Sequence, residues 1–191
     1  MIRCKYIRYR TLGHCIGYTP QSRVQDKRFT RDIAIGYHLW KLRQVGDKRD
    51  IYCNTRYNSI LTIDLTPETL AAALAAPSII VISPDMWPKR FSERYYVSLL
   101  LEGISHARHT GHTFILAVTP NFELDKRARY SVTSWVKYGQ QYVPEHKIVM
   151  LTRSVIRRTT NRVTVYEPVP IKSFFEPPRG YYLKISRGST A

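Results

Sequence analysis

Residues 69–85 read TLAAALAAPSIIVISPD, and two different periodicities meet inside this stretch. Its first half is built of Leu and Ala, which lose little freedom in a helix. Thr66-Pro67-Glu68 precede it: a capping hydroxyl, a proline at the position where a missing N–H costs nothing, and an acid at the positive helix end. The second half, residues 78–83 (SIIVIS), is a continuous β-branched run too short for a helix, the pattern of a strand covered on both faces of a parallel sheet. A helix running straight into such a strand is half of an α/β unit, and the neighbouring sequence is expected to supply the rest.

It does so in both directions. Residues 114–119 (FILAVT) and 147–152 (KIVMLT) repeat the buried-strand type. A helix is expected over about 91–109, with Tyr95, Leu99, Ile104 and Ala107 near one face and Gly111 as its stop, and a second over about 126–142, anchored by Tyr130, Trp135 and Tyr138 with Pro144 beyond. Upstream, residues 30–45 before Gly46 read as a helix, although the alternation of Ile33, Ile35, Tyr37 and Leu39 leaves a strand open. Short strands are expected at 15–18 and 50–53. The order β-α-β-α-β-α-β-α-β implies right-handed crossovers, a parallel five-stranded sheet and helices on both faces, a doubly wound α/β domain over residues 1–152. From 153 the pattern changes: residues 153–158 and 162–167 flank Thr159-Thr160-Asn161 as a hairpin, residues 168–178 carry four prolines, and 181–185 read as a last strand. Residues 153–191 are therefore expected to form a basic C-terminal β appendage.

The chain has 191 residues, with 30 Lys+Arg against 14 Asp+Glu and a formal charge of +16. At 43% hydrophobic it can bury a core and is no polybasic tail. The charge is uneven: residues 1–58 carry +9, 59–125 carry −3 and 126–191 carry +10. Such ends attract polyanions, so nucleic acid or an acidic protein is a possible partner. Arginine outnumbers lysine 20 to 10, which favours forked contacts to phosphate or carboxylate. No apolar run reaches membrane-spanning length and the opening MIRCKYIRYR is too charged for a signal peptide, so a soluble, cytoplasmic protein is expected, without membrane contact. Cys4, Cys15 and Cys53 are odd in number and lack CxxC spacing, which points to reduced, buried thiols.

Taken in order, these segments resemble a Toll/interleukin receptor (TIR) domain. CIGY (15–18) is similar to that family's first strand, often FISY; YHLWKLRQVG (37–46) resembles its first helix; DIYC (50–53) stands at its second strand; TLAAALAAPSIIVISPD (69–85) is similar to the helix running into "IVVLSP", and TFILAV (113–118) to the next strand. The resemblance covers about residues 11–152. It implies a flavodoxin-like, TIR-like sheet, homo-oligomers through the family's surfaces, and NAD as substrate, cleaved or cyclised at the nicotinamide–ribose bond in immune defence or signalling. The family's ribose-holding glutamate lies in the third helix after a tryptophan. That spacing is absent here, and Glu102 is the preferred catalytic carboxylate, with Glu93 second.

The chemistry is coherent with such a residue. Nicotinamide leaves as a neutral group, so the reaction needs a carboxylate to orient the ribose hydroxyls and steady an oxocarbenium-like centre more than it needs an acid. Ligands of open α/β sheets collect at the carboxyl ends of strands. Ser83, Asp85 and Trp87 follow the 78–83 strand, and Tyr18, Gln21 and Arg23 follow the first strand, so these six are the expected cofactor-binding residues, Trp87 by stacking and Arg23, with Lys27 and Arg28 near it, by charge. His106, His109 and His112 lack a completing carboxylate or cysteine, so no metal is expected. GxGxxG, GxxxxGK[ST] and GxSxG are all missing from the sequence, which removes support for a dehydrogenase, a Walker-type NTPase or an α/β-hydrolase. A non-catalytic basic binding module, or a TIR scaffold with a degenerate pocket, is the alternative.

Overall fold

A computed structural model describes residues 13–20, 27–83, 94–118, 126–143, 148–157 and 160–175. The chain order is β1 (Cys15–Pro20), α1 (Lys27–Gln44), β2 (Asp50–Tyr52), α2 (Pro67–Ala75), β3 (Ser78–Ile82), α3 (Arg94–Thr110), β4 (Thr113–Ala117), α4 (Lys126–Ser131), β5 (Ser134–Val143), β6 (Ile148–Arg157), β7 (Thr160–Pro168) and α5 (Ile171–Phe174). The strands form one seven-stranded sheet in the order β2-β3-β4-β1-β5-β6-β7. Its first five strands are mutually parallel, and β6 and β7 extend it antiparallel.

The pivotal strand is β1. It pairs with β4 on one side, Gly17 opposite Leu116, and with β5 on the other, Gly17 opposite Trp135. A flavodoxin-like sheet has the order 2-1-3-4-5, in which β1 pairs with β2 and β3. The expectation of a parallel five-stranded α/β sheet is met, but its flavodoxin-like wiring is corrected.

Local chemistry explains most elements. Thr66 caps α2 through a reciprocal box with Thr69 (Thr66 N donates to Thr69 Oγ1 at 2.8 Å, Thr69 N to Thr66 Oγ1 at 3.3 Å), and Pro67 opens the helix. Gly46 and Gly111, at φ 81° and 76°, follow α1 and α3 in the left-handed conformation that ends helices. Strands β3 and β4 are buried along their whole length, as two covered faces require.

The faces are unequal. The crossover from β1 to β2 passes toward one edge, while those from β2 to β3, β3 to β4 and β4 to β5 pass the other way, so a uniform hand places α1 alone against three helices. The core divides accordingly: Ile33, Ile35, Leu39 and Leu42 of α1 pack with Ile16, Tyr18, Val136 and Tyr138, and residues of α2, α3 and α4 pack with Cys15, Ile80, Phe114 and Leu116. On its outer side α1 is covered by the chain after β7, where Phe174 lies 5.9 Å from the Tyr37 ring and 6.3 Å from Trp40. That second cover explains why Ile33, Ile35, Tyr37 and Leu39 alternate like a strand within a helix.

Two expected elements differ. The helix foreseen over 126–142 stops at Ser131, and the rest is β5, in which Val136 and Tyr138 are buried and Lys137 between them is exposed. The fifth parallel strand is thus β5, while residues 147–152 open the antiparallel β6. A boundary at 152/153 falls inside that strand, and the hairpin after it belongs to the main sheet. Residues 181–185 lie outside the described residues. Cys15 and Cys53 are buried and free, with thiols pushed up by burial to about 12 and about 11; Cys4 lies outside the described residues.

Gly17 is required by packing: a Cβ there would overlap the Trp135 indole that crosses β1. Gly17→Ala is expected to lower stability by about 2 kcal/mol in urea unfolding, with part of the loss recovered when it is combined with Trp135→Leu; an unchanged midpoint would contradict this packing. His38 is buried, shares a 2.7 Å hydrogen bond with the Tyr18 hydroxyl, and is held down to about 3 by desolvation, which outweighs the opposing charge of Asp47. As pH falls below the ordinary histidine value, the unfolded chain gains a proton here that the native chain refuses. Stability is therefore expected to fall by about 2 kcal/mol between pH 7 and pH 5, and clearly less in His38→Gln; equal pH dependence of the two proteins would refute it.

Candidate functional site

In an open α/β sheet, a crevice opens at the carboxyl ends of two neighbouring strands whose crossovers leave in opposite directions. Here those strands are β1 and β4: the chain leaves β1 toward β2 and leaves β4 over β1 toward β5. The two strands stay paired to their ends, where Val118 N donates to Tyr18 O at 2.7 Å. α1 begins at Lys27, and its first turn holds the basic Lys27 and Arg28 and no acidic residue.

Beneath this edge lies a buried polar cluster. Arg31 Nε donates to Asp32 Oδ1 at 2.9 Å, with the two side chains only 5% and 12% exposed. Adjacent helical residues do not ordinarily face each other; here the two are bonded and both buried. Tyr57 Oη donates to the Asp32 carbonyl at 3.2 Å, and Cys53, directly after β2, accepts from Thr55 N at 3.4 Å. The pair's charges act on Cys53, Tyr57 and Tyr138. Burial, the largest effect on each, holds all three in their protonated forms, so the cluster presents hydroxyl and thiol donors, with the guanidinium as its cation.

The sequence candidates separate. Tyr18 is fully buried on the α1 face, bound to His38 and away from solvent. Ser83 follows β3 at the carboxyl edge, half-buried. Glu102 is exposed on α3, about 12 Å along the helix axis from Arg94, on the opposite face of the sheet from Tyr18. Gln21, Arg23, Asp85, Trp87 and Glu93 lie outside the described residues. The buried Arg31–Asp32 pair was not singled out from the sequence; the one available signal was a charged Arg-Asp pair inside an otherwise apolar helix, TRDIAIGYHL. His106 is exposed on α3, and His112 is buried, its Nδ1 accepting from Ser78 N at 3.2 Å.

A cavity of about 470 Å³ opens at the other end of the strands, lined by His14, Ile16, His38, Leu42, Arg49 and Thr113 among others. Arg49 braces it: Nε and one terminal nitrogen grip Asp47 at 3.1 and 2.7 Å, and the other reaches Gly111 O at 2.8 Å and Thr113 Oγ1 at 3.0 Å. Partial burial works against the Asp47 charge, but Arg49 outweighs it and holds the carboxyl below its ordinary range. With its guanidinium spent on bracing the α1–β2 turn, this end is primarily structural, and the carboxyl edge is the better candidate.

No family model and no curated protein matches the sequence. Among solved structures, the chain is similar in fold to the N-terminal domain of zonular occludens toxin from Neisseria meningitidis, with a TM-score of 0.53 at 11% identity over 86% of this chain and 100% of that one. A KaiC-like protein from the hyperthermophilic archaeon Pyrococcus horikoshii OT3 aligns with a TM-score of 0.48 at 14% identity, over 86% and 89% of the two chains. With the strand order, the toxin-domain likeness overturns the Toll/interleukin resemblance. NAD cleavage or cyclisation in immune defence rested on that resemblance and falls with it, together with the catalytic role this gave Glu102 or Glu93. The alternatives, a basic binding module and a degenerate TIR scaffold, gain no support from the fold. What stands is an α/β fold built on a five-stranded parallel sheet. Among the described residues, no helix is long and apolar enough to cross a membrane.

Proposed function

We propose that this chain is a nucleotide-binding domain that holds the phosphates of a nucleoside triphosphate at the turn from β1 into α1. The observation that carries the reading is the strand order, which sets that turn at the switch point where open α/β sheets take their ligands. The first turn of α1, with Lys27 and Arg28 and no acid, supports it, because cations and the helix dipole together favour an anion there.

The sequence also shapes what kind of site this is. Residues 17–30, GYTPQSRVQDKRFT, contain no GxxxxGK[ST], and their one glycine, Gly17, lies inside β1. Without a glycine-rich cradle the phosphates depend on helix amides and on cationic side chains, for which Arg23, Lys27 and Arg28 are the candidates. Ser83 and Asp85 after β3 are candidates for the neighbouring polar wall, and Trp87 for stacking on the base.

Titration calorimetry with ATP tests this. The wild type is expected to bind, and Lys27→Ala/Arg28→Ala to bind at least tenfold more weakly, a loss of about 1.4 kcal/mol, with unchanged unfolding behaviour. No binding by folded wild type, or equal binding by the double variant, would contradict the reading.

A further inference from the structure

We propose that the cavity at the amino ends of β1 and β4 is a second ligand site, separate from the carboxyl edge, and that it takes a small carboxylate with an apolar body. Its volume is about 470 Å³, inside the range of roughly 300–1,000 Å³ in which proteins hold small molecules. The start of β1, the start of β4, the last turns of α1 and the turn from α1 into β2 meet around it. Nothing in this site depends on a nucleotide at the opposite edge.

The lining sorts by chemistry. Ile16 and Leu42, both buried, give it an apolar floor. Its two imidazoles are anchored: His38 shares its Nδ1 with the Tyr18 hydroxyl and stays neutral, and His14 Nδ1 donates to the His112 carbonyl at 3.1 Å. Arg49 grips both oxygens of Asp47, so these two charges cancel in the wall and neither is left for a ligand. Two donors remain. Lys48 lines the cavity from the exposed turn, at its mouth, and its ammonium has no hydrogen-bond or ion-pair partner among the described residues. Thr113 is 7% exposed, and its hydroxyl accepts from Arg49 at 3.0 Å, which leaves the hydroxyl proton without an acceptor among the described residues. A left-over buried donor and an unpaired cation, beside a neutralised Asp47 and over an apolar floor, match one negative charge at the mouth with carbon below it.

Benzoate, benzyl alcohol and acetate, titrated into the isotopically labelled full chain and followed by amide chemical shifts, separate the two halves of this recognition. Benzoate is expected to give saturating shifts at Gly46, Asp47 and Thr113. Benzyl alcohol, which lacks the charge, and acetate, which lacks the apolar body, are each expected to bind at least about fivefold more weakly. Lys48 is exposed and unpartnered, so Lys48→Gln is expected to keep the wild-type spectrum away from the turn, to weaken benzoate about fivefold and to leave benzyl alcohol unchanged. Equal benzoate affinity in wild type and variant, or benzyl alcohol binding as tightly as benzoate, would overturn the carboxylate contact. The absence of saturating shifts with benzoate, or shifts confined to other parts of the chain, would overturn the site itself, and neither result bears on ATP binding at the opposite edge.

Discussion

The structure depends on the seating of one strand. β1 lies between β4 and β5, bonded in parallel to both, and every other placement follows. Because β1 sits fourth in the sheet and β2 at its edge, the first crossover must travel back across β4 and β3. With a right-handed rule for such connections, this isolates α1 on one face and collects α2, α3 and α4 on the other. The same seating sends the chain in opposite directions from β1 and β4, the divergence at which open α/β sheets take their ligands.

A helix alone on its face has more to bury than its neighbours. α1 meets that need twice, with Ile33 and Leu39 among the side chains packed against the sheet and Tyr37 and Trp40 covered by Phe174 from the chain beyond β7. The β6–β7 extension brings that covering segment round to it, and Asn58 N donates to Phe174 O at 2.9 Å to hold it. The packing that holds α1 from both sides acts along its middle, from Ile33 to Leu42. The buried Arg31–Asp32 pair directly precedes that stretch. Charges are expensive to desolvate and rarely stabilise a fold on their own, which sets this pair apart in an otherwise apolar stretch of α1.

Much of this was legible in the amino-acid order. The runs SIIVIS and FILAVT marked β3 and β4, Thr66-Pro67 marked the start of α2, and Gly46 and Gly111 marked two helix ends, because each is a local preference expressed over a few residues. Strand β5 was misread because Tyr130, Trp135 and Tyr138 fit a helical spacing, while the stronger two-residue rhythm of Val136, Lys137 and Tyr138 is only three residues long. Strand order was not legible at all: the same β-α succession serves a β1 paired with β2 and β3 or one paired with β4 and β5, since that choice lies in contacts about a hundred residues apart. The resemblance to Toll/interleukin domains rested on succession alone and carried the wrong order with it. Of the proposed site, Arg23 and Ser83 were reachable as residues that follow strands in the sequence, whereas the buried Arg31–Asp32 pair gave no signal beyond two charges in an apolar helix.

The most direct measurement of the central claim is the set of through-space contacts that the β1 backbone makes in isotopically labelled protein by nuclear magnetic resonance. The account predicts cross-strand contacts from Gly17 and Tyr18 to Leu116 and Ala117 on one side and to Trp135 and Val136 on the other. Contacts from the same residues to Ile51 of β2 and Ile80 of β3 would restore the flavodoxin-like order and contradict the account.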